Sequence, residues 1–244
     1  MAGIKNLFAF DFDDTLAITP SLIGVKRDLS SGGSDPLFRE WIHEHSLDIY
    51  EIENEGLQNE IIWFTSGDFA KYEKAHRKDI DYLESNSVED KYDFTKTASV
   101  DVGGSSPIAP ILDIVKKASS SANSRVVIIT ARGGKQSMTG LGGRGTIQPT
   151  NREDIQNFLN GQGIDISSGN ITTAGDLGQG PPAKVKAMKS YIEQYNPKNI
   201  FFYDDNMGNV EAIAGMCEEY FPEINIKTFR VDSSGNVSLH GGCW

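Results

Sequence analysis

Five short segments of the chain are apolar with little or no alternation. They are the "NLFAF" that opens "NLFAFDFDDT" (Asn6–Thr15), "RVVIIT" (Arg125–Thr130), "GNITTAGD" (Gly169–Asp176), "NIFFYDD" (Asn199–Asp205) and "INIKTFRV" (Ile224–Val231). Rich in β-branched and aromatic residues and bounded by turn formers, they read as strands buried on both faces, as in a parallel sheet. Between them the pattern turns helical. "PIAPILDIVKKA" precedes the second strand. "TNREDIQNFLNGQG" precedes the third, with a cap expected at Thr150 or Asn151 and an end at Gly161 or Gly163. "PPAKVKAMKSYIEQY" precedes the fourth; its proline pair suits a helix start, and Val185, Met188 and Ile192 form an apolar stripe. "NVEAIAGMCEEYF" precedes the fifth. This alternation predicts a doubly wound, Rossmann-like parallel α/β sheet with right-handed crossovers. Such sheets bind ligands beyond the carboxyl ends of their strands. Asp11 and Asp13, Thr130, and Asp204 and Asp205 each close an apolar run, so the topology would gather them at one edge.

Residues 18–100 break the rhythm and read as an insertion after the first strand, either a cap over the site or an extra layer. The core would then comprise residues 1–17 and 101–244. The insertion holds a helix-like "PLFREWIHEH", an apolar "EIIWFT" and a helix-like "DFAKYEKAHRKDIDYL" in which Phe69, Tyr72 and Leu83 keep helical spacing. Its Trp41, Trp63 and Phe64 suit a core better than a stacking platform. "SSSANS" (Ser119–Ser124) reads as a turn and "GGKQSMTGLGGRG" (Gly133–Gly145) as a mobile loop.

Charge sharpens this division. The net charge of −11 argues against extended binding to nucleic acid or to an anionic membrane. Residues 16–100 carry 17 acids against 9 Lys and Arg, whereas Arg132 to Arg152 holds Arg132, Lys135, Arg144 and Arg152 with no acid. The basic segment would suit an anionic leaving group. No apolar run reaches the roughly 20 residues that cross a bilayer, and no signal-peptide pattern opens the chain. Cys217 and Cys243 are too few for a disulfide framework or a zinc site, and His43, His45, His76 and His240 keep no metal spacing. A reducing, cytoplasmic setting is expected. "HGGCW" at the end reads as a frayed tail in which Cys243 would be reactive if exposed.

A carboxylate at a strand end can attack phosphorus, and a second one two residues on can protonate the leaving oxygen and then activate water. Crowded carboxylates call for a hard cation, for which Mg2+ is suited. A strand-end hydroxyl and a lysine at a helix start can hold phosphate oxygens.

The ordered set "DFDDT", "VVIITAR", a lysine near a helix start and "IFFYDDNMGN" resembles the phosphatase branch of the haloacid dehalogenase superfamily, whose first signature is DxDxT. The resemblance covers the first 15 residues and roughly 125–210. It implies a Mg2+-dependent phosphomonoester hydrolase working through an aspartyl-phosphate. Asp11 would be the nucleophile and Asp13 the general acid and base. Asp11, the main-chain carbonyl of Asp13, and Asp204 would ligate Mg2+, and Asp205 would ligate through water or orient the lysine. Thr130 and Lys184 would hold the phosphate, with Lys186 as the alternative and Lys189 solvated. Arg132 would hold substrate and Asn209 would bond the acid pair. Asp14 stands where the family often has glycine and is assigned no role. The acidic insertion favours a small phosphomonoester such as a nucleotide or sugar phosphate; the basic segment leaves a nucleic-acid terminal phosphate as the alternative. A receiver-type phosphoacceptor module is the rival from another class, although its acid pair falls at the first strand and its lysine last.

Overall fold

The computed structural model describes residues 4–54, 59–76, 88–135, 137–143 and 145–243. Its strands of three residues or more are β1 (Asn6–Phe10), β2 (Leu22–Leu29), β3 (Glu51–Glu53), β4 (Ile61–Thr65), β5 (Val88–Asp93), β6 (Ser124–Thr130), β7 (Ile171–Thr173), β8 (Asn199–Asp204), β9 (Asn225–Val231) and β10 (Val237–Cys243). Six α-helices lie among the described residues: α1 (Phe38–Glu44), α2 (Ser66–His76), α3 (Ala109–Ser119), α4 (Asn151–Gly161), α5 (Gly180–Tyr195) and α6 (Met207–Tyr220). The chain divides into two compact units, residues 1–19, 99–136 and 150–244, and residues 20–98 and 137–149.

The first unit is a mixed α/β structure on a parallel-dominated sheet of order β7-β6-β1-β8-β9-β10, in which only β10 runs antiparallel. Successive side chains of a strand point to opposite faces. Phe10, Val126 and Ile128 therefore pack against Ile111, Leu112 and Val115 of α3 and Ile155, Phe158 and Leu159 of α4. Leu7, Ala9, Val127 and Ile129 pack instead against Ala183, Ala187, Met188 and Ile192 of α5 and Ile213 and Met216 of α6. Helices on both faces are why Leu7–Phe10 of β1 and Val126–Ile129 of β6 are unbroken apolar runs. Burying a Leu, Ile or Phe of this kind contributes about 1.5–3 kcal/mol each. Cross-strand stacking of Phe10 on Tyr203 and of Tyr203 on Phe229, both at 4.7 Å between centroids, ties three neighbouring strands together.

The helix ends follow the sequence closely. Thr150 sits at the N-cap of α4, whose last residue is Gly161. α5 carries proline in its first turn and is followed by Asn196 in the left-handed conformation (φ 44°). The third expected strand is shorter than its apolar run: only Ile171–Thr173 pairs, between two 3-10 turns. The Asp176 carboxylate accepts the Thr173 hydroxyl and the Gly134 and Lys135 amides, turning the chain out of the sheet.

At the other edge the expected frayed tail is instead β10, paired with β9 from Val237 to Cys243. Gly242 permits this, because a Cβ there would lie 1.7 Å from the Ile226 carbonyl oxygen and its φ is +138°. Cys243 is disulfide-bonded, so it is not the reactive thiol that a loose tail would have offered.

The second unit has its own antiparallel sheet, order β3-β4-β2-β5, and none of its strands joins the parallel sheet. Val25, Ile62 and Phe64 pack with Phe38, Trp41 and Ile42 of α1 and Phe69 and Tyr72 of α2. Trp41, Trp63 and Phe64 are all buried. β2 and β5 escape a hydropathy reading because charge sits inside. Arg27 is fully buried, donates to Asp90 at 3.2 Å and lies 4.4 Å from the Trp41 ring centre. The helix-like stretch after Phe69 and Tyr72 is seen to His76; Leu83 lies outside the described residues.

Two boundaries differ from the sequence-based division. The insertion spans 20–98, and segment 137–149, expected in the core as part of a loop, belongs to the second unit. Met138–Thr139 pairs with Thr146–Ile147, and the Leu141 amide between them donates to the buried Asp93 at 2.7 Å. Among the described residues no helix is long and apolar enough to cross a membrane.

Candidate functional site

β1 and β8 are adjacent at the point where strand order reverses, since the connection from β1 leads to β6 on one side and that from β7 to β8 on the other. Both deliver acids to their carboxyl ends. The Asp11 amide extends the parallel pairing by donating to the Tyr203 carbonyl at 2.9 Å, which holds Asp11 level with Asp204. Oxygens of Asp11, Asp204 and Asp205 lie within 4.8 Å of one another. Asp11 and Asp204 are buried.

Lys184 reaches this group from the first turns of α5. Its Nζ donates to Asp204 Oδ2 at 2.7 Å and lies 2.8 Å from Asp11 Oδ1. Lys184 is 2 % exposed. Lys186 is exposed on the same helix, and Lys189 caps the Tyr220 ring at 3.0 Å from its centre. Of the three lysines, Lys184 alone is brought to the acids. Burial would lower its pKa, but Asp11 and Asp204 outweigh this and raise it, so it stays an ammonium.

Three carboxylates against one ammonium leave negative charge uncompensated. Burial pushes the Asp11 carboxyl well above the usual range; Lys184 pulls it down while Asp204, Asp205 and Asp13 push it further up. Asp205 is pushed up to about 7, chiefly by burial and then by Asp204, with Lys184 opposing. Asp11 Oδ1 is also buried without an aligned hydrogen bond, despite the nearby ammonium. Three carboxylates gathered around a single ammonium, all hard oxygen donors, fit a small divalent cation. The Asp13 carboxylate is not part of this group.

Asp13 faces a different cation. The Arg132 guanidinium grips it with Nη2 at 2.7 Å from Oδ1 and Nε at 2.9 Å from Oδ2. Thr19 donates to Oδ1 at 2.6 Å, and Thr130 lies 3.4 Å from Oδ2. Burial would raise the Asp13 pKa, but Arg132 and the bonds from Arg132 and Thr19 hold it below the usual range. Arg132, expected to hold substrate, is thus buried and committed to the protein. Lys135 is exposed, whereas Arg144 lies outside the described residues.

The remaining loop residues explain the local shape. Asp14 has φ +55°, a conformation that glycine adopts at least cost and Asp tolerates. Asn209 donates to Asp204 Oδ1 at 3.0 Å, and the Asn206 amide donates to the same oxygen at 2.9 Å. Thr15, to which the sequence assigned no role, accepts the Asp205 amide at 3.1 Å and joins the two acid-bearing loops. Asn151, read only as a helix cap, accepts from Arg132 and donates to the Gly133 carbonyl. Comparison with protein-family models, curated proteins and solved structures finds no match to this chain.

Proposed function

We propose that the chain is a Mg2+-dependent phosphomonoester hydrolase of the haloacid dehalogenase type, acting through an aspartyl-phosphate on a small phosphomonoester. One observation carries the reading. A buried Asp11 shares Lys184 with Asp204 at the carboxyl edge of a parallel sheet, while a second carboxylate two residues on is held by a separate cation.

That separation suits a division of labour. Asp11 attacks phosphorus and becomes the aspartyl-phosphate, which a second attack by water releases. Asp13, an ionised carboxylate in the free protein, takes up the proton of a bound phosphomonoester monoanion, passes it to the leaving oxygen and later takes one from that water. Lys184 screens the nucleophile from Asp204 and supplies positive charge as phosphoryl oxygens approach. Thr130, buried at the end of β6, would turn its hydroxyl from Asp13 toward the same phosphate. Asp11, Asp204 and Asp205 would hold Mg2+, together with the Asp13 carbonyl that the family resemblance implies. Bound there, Mg2+ would neutralise the acid cluster and polarise the phosphate.

Two rival readings lose support. Receiver-type modules follow strand order 2-1-3-4-5, whereas the parallel strands here run 3-2-1-4-5. A nucleic-acid terminal phosphate drew on the basic segment, from which Arg132 is withdrawn into the interior. The acidic second unit also disfavours a polyanion. The test is Mg2+-dependent phosphate release across nucleotides, sugar phosphates and 3′- or 5′-phosphorylated oligonucleotides. Asp11→Asn should remain folded and abolish release. A wild-type protein inactive on every substrate, or an active Asp11→Asn, refutes the reading.

A further inference from the structure

A guanidinium carries five N–H donors. In Arg132 every one has an acceptor within the first unit. Nε donates to Asp13 Oδ2 at 2.9 Å, and Nη2 serves Asp13 Oδ1 at 2.7 Å and Thr19 Oγ1 at 3.2 Å. Nη1 serves the Ser99 carbonyl at 3.0 Å and Asn151 Oδ1 at 3.2 Å. The side chain is only 4 % exposed. Such a group has no donor left for a substrate. Its partners also differ in their place in the chain. Asp13 belongs to the site, whereas Thr19 and Ser99 are the residues at which the chain leaves the first unit and re-enters it.

We infer that Arg132 is a positioning residue: it fixes the Asp13 carboxylate against both crossover points and aims it, without touching substrate. This rests on the phosphatase reading above. A forked, two-point contact sets both the rotamer and the plane of a carboxylate, which a point charge such as lysine does not. Aim matters because proton transfer requires hydrogen-bond reach, and a misplacement of about 1 Å can cost on the order of a hundredfold. Thr19 completes the device: it donates to Asp13 and accepts from Arg132, closing a three-membered ring of contacts.

The discriminating measurement uses the leaving group. An alkyl phosphate, such as a sugar phosphate, needs its leaving oxygen protonated, whereas para-nitrophenolate departs without a proton. Arg132→Lys and the isosteric Thr19→Val are compared with wild type on both substrates, in Mg2+. The inference expects Arg132→Lys to lower kcat/KM on the alkyl phosphate, which reports the steps up to departure of the leaving group, by on the order of a hundredfold, within the range that a positioned acid supplies. KM for the alkyl phosphate should stay near the wild-type value, and kcat/KM on para-nitrophenyl phosphate, which excludes the later water attack that Asp13 also serves, should fall far less. Thr19→Val should show the same pattern more weakly, and it keeps the test available if Arg132→Lys fails to fold.

Equal losses of kcat/KM on both substrates would mean a merely structural arginine and overturn the inference. A rise in KM confined to substrates with anionic leaving groups would restore Arg132 as a substrate clamp and also overturn it. Unchanged kinetics in both variants would do the same. A wild-type protein inactive on both substrates would overturn the phosphatase reading and this inference with it. With an active wild type, the role of Arg132 stands or falls on the variants alone.

Discussion

Replacing Lys184 by methionine tests the electrostatic core of the site without assuming any reaction. The ammonium is 2 % exposed and lies 2.7 Å from one carboxylate and 2.8 Å from another. At an effective dielectric of about 20, each contact is worth about 6 kcal/mol of gross attraction. Desolvation of three charged groups offsets most of that sum. The net cost of removing one partner from a buried ionic cluster is about 3–5 kcal/mol, because the charges left behind stay buried. Methionine nearly preserves the volume, so packing loss adds little. The assay is urea unfolding with EDTA at pH 8 and pH 5, and again at pH 8 with Mg2+. The expected deficit of about 3–5 kcal/mol at pH 8 should shrink at pH 5, where the stranded carboxylates accept protons. Added Mg2+ should recover part of it. Lys186→Met, at an exposed position, should stay within about 0.5 kcal/mol of wild type. A deficit below about 1 kcal/mol, or one indifferent to both pH and Mg2+, would refute the assignment of Lys184 as the compensating charge.

Two further outcomes are expected. Asp205 is pushed up from 3.8 to about 7, so the metal-free folded state holds a proton that the unfolded chain releases between those values. Stability in EDTA should therefore fall as pH rises from about 4 to 7, by at most about 4 kcal/mol from this group. Mg2+ should flatten that slope, and its affinity, read by calorimetry, should weaken as pH drops below 7; a slope of opposite sign counts against the buried acid cluster. At the sheet edge, Gly242→Ala should unpair the end of β10 and cost about 1–3 kcal/mol, because the new Cβ would collide with the Ile226 carbonyl. Faster amide exchange across β9 and β10 would report it. Gly241→Ala, where the nearest atom lies at 3.8 Å, should not have this effect.

What the sequence disclosed depended on how local its cause was. The five parallel strands were legible because helices cover both faces of the sheet, so Leu7 and Phe8 alike had to be apolar and β1 could show no alternation. The starts of α4 and α5 were legible because local residues mark them, Thr150 before the one and the proline pair in the first turn of the other. β2 and β5 were not, since Arg27 is buried by virtue of Asp90, which lies 63 residues away along the chain. β10 was mistaken for a loose tail because Gly241 and Gly242 look like disorder until the Ile226 carbonyl approaches.

The candidate site divides along the same line. Asp11 and Asp204 could be placed at one edge from the order of strands and helices alone, because topology carries strand ends there whatever their side chains do; choosing Lys184 over Lys186 drew also on the family resemblance. The partner of Arg132 could not. A basic residue two positions beyond Thr130 is equally compatible with gripping a substrate anion or an internal carboxylate. The choice is made by Ser99, Asn151 and Thr19, which approach from 33, 19 and 113 residues away to take the donors that Asp13 leaves over. A cation surrounded by enough acceptors of its own chain has no reason to wait for a ligand. The basic character of residues 132–152 was therefore an unreliable guide to substrate: the one of its charges nearest the acids is neutralised within the fold.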